Sequence, residues 1–140
     1  MHTEAEKHHL WSATLLRFAG GGCVVVAIVD TCGSLLSLAL KIPYGWFAIV
    51  SLMIYCALGV LAARRGSIAS AAAAGAIVSV FDATVGWWIS WRIGPGRADG
   101  PDGPAGIHAL LLTGIFVVSF ETTLAVIAAL ISERLRGRRS

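Results

Sequence analysis

Four long runs of apolar residues constrain the fold of this chain more than any other feature. They cover residues 18–40, 44–63, 67–91 and 107–132, about two-thirds of the 140 residues. A helix needs about 20 mostly apolar residues to cross roughly 30 Å of hydrocarbon, and each run meets that length. With 56% hydrophobic and only 14% charged residues, the composition excludes a water-soluble domain, a disordered chain and a disulfide-rich scaffold.

Short connections between the runs predict the topology. The links at 41–43 and 64–66 contain Pro43 and Gly66, which end helices, and such short links join antiparallel neighbours. The third link, 94–106, is rich in Gly and Pro and is predicted to be an exposed loop. The sequence therefore predicts an all-α, integral membrane four-helix up-down bundle, with the whole chain forming a single transmembrane domain.

The distribution of Lys and Arg predicts the orientation, because cytoplasmic loops carry the excess of basic residues. With a cytoplasmic N-terminus, eight basic residues lie inside and three outside. Those inside are Lys7, Arg17, Arg64, Arg65, Arg134, Arg136, Arg138 and Arg139, and those outside are Lys41, Arg92 and Arg97. We expect a protein of the bacterial inner (plasma) membrane with both termini in the cytoplasm. Because the basic residues lie at helix ends, no nucleic-acid partner is predicted.

Aromatic residues agree with these boundaries. Amphipathic rings prefer the membrane surface. Those at the predicted outer surface are Tyr44, Trp46, Trp87, Trp88 and Trp91.

The segment before the first run leaves two interpretations open. Residues 4–18 form a short interfacial helix that ends at a hinge of Gly20, Gly21 and Gly22, or the first span starts earlier and the glycines let a neighbouring helix approach closely.

Three carboxylates lie inside the predicted spans: Asp30, Asp82 and Glu121. At 1.5 Å per residue from the middle of each span, all three fall within about 6 Å of the membrane centre. Each would cost roughly 2.5–3.5 kcal/mol to insert if it faced lipid. We therefore expect all three to face the bundle interior or water.

Small and polar residues share a helix side with these carboxylates. Along the third run, small residues recur at every fourth position, a pattern that lets membrane helices touch. This small-residue ridge consists of Ser67, Ala71, Gly75, Ser79 and Ala83. We assign a supporting polar role near the carboxylates to Ser34, Ser79, Thr84 and Thr122.

Lys, Arg and His occur only at the ends of the four runs, so no internal cation neutralises the carboxylates. Three solutions remain: the acids carry protons, they bind an imported cation, or they pair with a partner subunit. The first two are the chemistry of proton relays and cation transport. The structural alternative is that protonated acids bond to neighbouring hydroxyls and backbone carbonyls and only hold helices together.

Motifs for catalysis, cofactors and metals are missing from the sequence. It contains no G-x-S-x-G, H-E-x-x-H, P-loop or G-x-G-x-x-G pattern. Cys23, Cys32 and Cys56 lie in apolar runs and form no C-x-x-C pair, which is typical of small buried side chains. We expect no enzymatic activity, no cofactor and no metal.

The functional prediction is a small polytopic membrane protein whose midplane carboxylates Asp30, Asp82 and Glu121 bind and release protons or a small cation, as a proton- or cation-coupled transporter or channel. Four helices enclose little volume, so a homo-oligomer is expected, with the small-residue ridge as a candidate interface. The alternative is a non-transporting accessory or assembly subunit of a larger membrane complex, whose partners supply basic or hydroxyl groups to the acids.

Overall fold

The computed structural model describes residues 4–93 and 106–138, which are almost entirely helical. In chain order the elements are α1 (Glu4–Leu40), a 3₁₀ turn (Tyr44–Phe47), α2 (Ala48–Arg65), α3 (Ile68–Phe81), a π-helical turn (Asp82–Gly86), α4 (Trp87–Ile93) and α5 (Gly106–Gly137). No strand occurs in these two ranges. The predicted loop at 94–106 lies outside the described residues except for Gly106, which begins α5.

Four helical segments are long and apolar enough to cross a membrane, which confirms the all-α prediction and the number of runs. They are Leu15–Leu40, Tyr44–Arg65, Ile68–Ile93 and Leu110–Gly137. Each differs by only a few residues from the run predicted for it.

Helix α1 continues without a break through Gly20 and Gly21, so the structure favours a first span that starts early over an interfacial helix with a hinge. The third glycine of the group, Gly22, has a packing role. A Cβ at Gly22 would lie 2.6 Å from a methyl group of Val78. The missing side chain therefore lets α1 approach α3.

The third span is interrupted, which the spacing of its residues did not predict. At Asp82–Gly86 the α-helix widens into a π-helical turn, and the backbone N–H of Trp87 donates to the Asp82 carbonyl, five residues back. The Thr84 hydroxyl donates to the Val80 carbonyl at 2.6 Å. Single π turns inside α-helices occur frequently at functional sites.

Helices α2 and α3 form the centre of the bundle. They contact each other, and both also contact α1 on one side and α5 on the other. Within the described residues, α1 and α5 do not meet. An inward-pointing side chain of the third span therefore has α1 on one side and α5 on the other.

Small residues bring the helices together in the half of the bundle that contains the α2–α3 connection, here called the Arg64 end. A Cβ at Gly59 of α2 would overlap the backbone carbonyl of Ala125 in α5, and one at Gly75 of α3 would lie 3.0 Å from the Ala125 Cβ. Ala71, Gly75 and Ser79 of the small-residue ridge are buried. The middle of the ridge is thus packed against the other helices of the same chain.

Polar contacts complete the Arg64 end. Ser67 precedes α3 and its hydroxyl accepts the Ser70 N–H at 3.1 Å, which satisfies one of the free donors at the helix start. The Arg64 Nε donates to the Ser132 Oγ at 3.2 Å and links the end of α2 to α5. The opposite end, where Pro43 lies in the α1–α2 connection, is called the Pro43 end.

Candidate carboxylate site

The three carboxylates come from different helices and meet in the interior. Asp30 of α1, Asp82 of the π turn and Glu121 of α5 are only 6%, 8% and 7% exposed. Asp82 lies between the other two and interacts with both side chains. The prediction that these acids lie on the packed sides of their helices agrees with this geometry.

Two tyrosines donate hydrogen bonds to the aspartates. The Tyr44 hydroxyl donates to Asp30 Oδ1 at 3.0 Å. The Tyr55 hydroxyl donates to Asp82 Oδ2 at 3.2 Å, and Tyr55 is completely buried. Each aspartate therefore has one oxygen that accepts a hydrogen bond from a phenol of the second span, either from the 3₁₀ turn (Tyr44) or from α2 (Tyr55).

Neither tyrosine is predicted from the sequence to be a site residue. The pattern predicts Tyr44 as an aromatic residue at the membrane surface and indicates no role for Tyr55. A signal was present for Tyr55, because a tyrosine in the middle of an apolar span needs a partner for its hydroxyl. The internal carboxylates were the evident acceptors.

The connection between α1 and α2 explains how Tyr44 reaches back to Asp30. Lys41 ends α1 with a φ of 54°, a left-handed conformation that turns the chain sharply. The Ser37 hydroxyl then donates to the Ile42 carbonyl at 2.7 Å and holds the turn against α1. The 3₁₀ turn that follows places Tyr44 over the last turns of α1.

Gly86 makes room for the contact between Asp30 and Asp82. A Cβ at Gly86 would overlap Asp30 Oδ2 and would lie 2.6 Å from Asp82 Oδ1. The two oxygens therefore border the same small space beside the Gly86 backbone. The π turn places both Asp82 and Gly86 on the buried side of the third span. Asp82 supplies one of the acids, and Gly86 leaves space for the carboxylate of Asp30.

Two carboxylate oxygens of the site lack a donor. Asp30 Oδ2 and Glu121 Oε2 are buried and have no hydrogen-bond partner in the described part of the chain. No basic side chain supplies one, since every Lys, Arg and His whose burial is described is exposed. A buried oxygen without a donor costs about 1–3 kcal/mol. A proton shared between the acids, or a cation beside them, would remove that cost.

The same carboxylates line a cavity of about 380 Å³. Its remaining walls come mainly from the start of the second span and from the middle of α5, on the Pro43 side of the Gly59 contact. The lining residues besides the three acids are Tyr44, Gly45, Phe47, Ala48, Ser51, Leu52, Trp87, Phe116, Val117 and Phe120. The acids therefore face a space large enough for a small molecule.

The four predicted supporting residues have different positions. Ser79 is buried and lies beside Glu121 and Tyr55, although its hydroxyl donates to the Gly75 carbonyl at 2.8 Å. Ser34 and Thr122 have buried hydroxyl oxygens with no hydrogen-bond partner among the described residues, although Ser34 lies close to Tyr44, and neither residue lines the cavity. Thr84 is exposed and bonds to its own helix, so its place is in the π turn and not beside the carboxylates.

Oxygen ligands for a metal ion are present in the cavity, but they do not form a compact set. Within residues 4–93 and 106–138, no group of three His, Cys, Asp or Glu side chains is close enough to hold a metal ion.

Comparisons of the chain with protein-family models, with curated proteins and with solved structures give no match.

Proposed function

We propose that the bundle spans a lipid bilayer, with both termini in the cytoplasm of a bacterial cell and the Arg64 end facing the cytoplasm. Large apolar side chains on the outside of the bundle support this placement: Leu112 is 70% exposed, Met53 68% and Ile115 64%. Such side chains are costly in water and suited to acyl chains. The excess of basic residues at the Arg64 end supports the orientation.

We further propose that the protein is a proton- or cation-coupled transporter or channel whose ion-binding groups are Asp30, Asp82 and Glu121. The observation that carries the proposal is the meeting of three buried carboxylates on one cavity, with two oxygens that lack a donor. Ionisable groups buried at membrane depth mark ion pathways more often than packing sites. A packing role would have to satisfy those oxygens with protons held permanently between the acids.

Asp82 is the centre of the proposed relay, because it interacts with both of the other acids. A proton or cation that arrives at Asp30, beside Tyr44 and the Pro43 end, can pass to Asp82 and then to Glu121 without leaving carboxylate oxygens. On the far side of Glu121, the contact of Gly59 with Ala125 closes the bundle. A complete path across the membrane therefore needs a change of helix packing or a second copy of the chain.

Ion flux into proteoliposomes tests the proposal. Purified protein is reconstituted, a proton or alkali-cation gradient is imposed, and its decay is followed with a fluorescent indicator. We expect the Asp82→Asn and Glu121→Gln variants to reduce the flux at least about 10-fold, because each replaces an ionisable group in the chain of acids. Glu133→Gln is the matched control, since Glu133 lies near the Arg64 end and outside the cavity. Wild-type flux in both cavity variants would overturn the proposal.

The alternative role, an accessory or assembly subunit of a larger membrane complex, is favoured by one observation. A groove of about 550 Å³ between the third span and α5 is lined mostly by apolar side chains, including Trp87, Trp91 and Leu111. A transmembrane helix of a partner would fit against such a surface. A stoichiometric partner that copurifies with the wild type and is lost with Asp30→Leu would support this role over transport.

A further inference from the structure

The residues that line the carboxylate cavity indicate which kind of molecule would bind there. Five aromatic side chains share the cavity with the three acids: Tyr44, Phe47, Trp87, Phe116 and Phe120. Aromatic faces attract cations through their quadrupole, and the attraction grows where water is excluded. Acids and aromatic rings around one space are complementary to a cation with an apolar body.

The non-aromatic walls favour an organic cation over a bare inorganic one. The three carboxylates and the hydroxyls of Tyr44 and Ser51 are the oxygen-bearing side chains of the lining, but within residues 4–93 and 106–138 no three acidic, His or Cys side chains are grouped closely enough to hold a metal ion. A hard metal cation takes about six or more oxygen ligands around it. Apolar side chains such as Leu52 and Val117 cannot replace those ligands, whereas they pack well against alkyl or aryl groups.

The size of the cavity agrees with this chemistry. At about 380 Å³ it is far larger than a dehydrated alkali ion needs, and it lies at the lower end of the range for small-molecule pockets. A cation with one aromatic ring or a few short alkyl groups would fill it.

Two aromatic rings that line the cavity are also exposed at the surface, and they indicate where such a molecule would enter. Phe116 and Phe120 stack on each other with ring centroids 5.9 Å apart, and they line the cavity. Both are also exposed on the outer surface of α5, at 66% and 48%. In the proposed membrane placement this surface faces lipid. A molecule that first partitions into the bilayer would therefore reach the cavity beside these two rings.

We infer that the cavity binds a lipophilic organic monocation, such as a quaternary ammonium compound with an aromatic or alkyl body. Its charge lies beside the carboxylates that line the cavity, those of Asp30, Asp82 and Glu121, and its body contacts the rings of Trp87 and Phe120. This inference rests on the proposed function, because it names the cargo or coupling ligand of the same site. Protons and the organic cation compete for the same oxygens, so the binding of one releases the other.

Calorimetric titration of the full-length protein in lipid nanodiscs tests the inference with three probes. Benzyltrimethylammonium carries the charge and the ring, neopentylbenzene is its neutral isostere, and sodium carries the charge alone. We expect benzyltrimethylammonium to bind at least about 10-fold more tightly than either of the others, since only it satisfies both the acids and the rings. Its affinity should fall as the pH is lowered. Equal affinity for the neutral isostere would overturn the inference.

A matched pair of tryptophans tests the role of the aromatic wall. Trp87→Leu removes a ring from the cavity, whereas Trp88→Leu removes one from the outer face of α4, where Trp88 is 54% exposed and lies outside the lining. We expect about a 10-fold loss of affinity for benzyltrimethylammonium in Trp87→Leu and wild-type affinity in Trp88→Leu. Phe120→Leu is a second cavity variant in case Trp87→Leu does not fold. Wild-type affinity in the folded cavity variants would contradict the inference.

Failure of this inference is distinguishable from failure of the proposed function. If proton or alkali-cation flux depends on Asp82 but benzyltrimethylammonium does not bind, the inference is wrong and the transport proposal stands. If the organic cation binds and flux is unchanged in both Asp82→Asn and Glu121→Gln, the site is a binding site and coupled transport is wrong.

Discussion

The two halves of the bundle are built from the same four spans and differ in how closely those spans approach. At the Arg64 end, Gly59 and Gly75 bring α2 and α3 into contact with Ala125 of α5. The neighbouring core positions are also small, with Ala62 and Ala129 completely buried. Without large side chains between them, the backbones pack directly against each other at Ala125. A groove of about 640 Å³ is also present at this end, lined by Val60, Arg64 and Ser132 among others, but none of its lining residues is acidic.

At the Pro43 end, larger side chains occupy the equivalent space. Phe47, Trp87 and Phe120 line a cavity there together with the three carboxylates. The comparison shows that small residues bring the helices into direct contact beside Ala125, whereas larger side chains and the carboxylates surround the cavity at the Pro43 end.

Gly59→Ala should have the largest effect of any single substitution that tests this comparison. The added Cβ would overlap the backbone of Ala125, which cannot rotate away as a side chain can. Overpacking a tight core costs about 1–3 kcal/mol, and displacement of a backbone puts this variant at about 3 kcal/mol or more. The free energy of unfolding, measured by denaturing-detergent titration in bicelles, reports the loss.

Gly21→Ala is the control for that measurement, because a Cβ at Gly21 meets nothing within 4 Å. Alanine is the better helix former, so this variant should be unchanged or stabilised by up to about 1 kcal/mol. Equal stability of Gly59→Ala and Gly21→Ala would show that the Arg64 end is loosely packed, and the comparison between the halves would fail.

Gly86→Ala tests the other half and should cost less stability, about 2 kcal/mol, because the new Cβ meets carboxylate side chains that can shift. It should reduce ion flux strongly, since it forces Asp30 and Asp82 apart. Gly114→Ala is the control near the same cavity, where the nearest atom to a new Cβ is a ring carbon of Trp87 at 4.0 Å. A folded Gly86→Ala protein with full flux would mean that the contact between the aspartates has no role.

The sequence predicted the spans well because a span depends mainly on length and apolar composition, which are local properties. The same reasoning placed Asp30, Asp82 and Glu121 on packed helix sides from the spacing of small residues around them. The widening of the third span at Asp82 was not predicted, because a π turn preserves the apolar pattern and shifts it by only one residue.

The sequence pattern does not determine which side chains contact each other across the bundle. The order of the helices around the bundle decides that Asp82, and not Asp30, lies between the other acids. The left-handed turn at Lys41 decides that Tyr44 points back to Asp30. Thr84 was assigned to the acids by sequence distance alone, whereas the rotation of the π turn leaves it exposed.

The smallest expected effect is a difference in the free energy of unfolding between variants of the two site tyrosines. Tyr55→Phe removes the donor to Asp82 Oδ2 in a fully buried position, and we expect a loss of about 1 kcal/mol in the free energy of unfolding. Tyr44→Phe removes the donor to Asp30 Oδ1 beside the cavity, where water can replace the hydroxyl, so its cost should be less than about 0.5 kcal/mol. Detergent titrations of both variants against the wild type measure the difference. A larger loss for Tyr44→Phe would mean that water does not replace the lost hydroxyl and that the cavity is dry beside Asp30. The tightly packed half of the bundle would then extend further toward the Pro43 end.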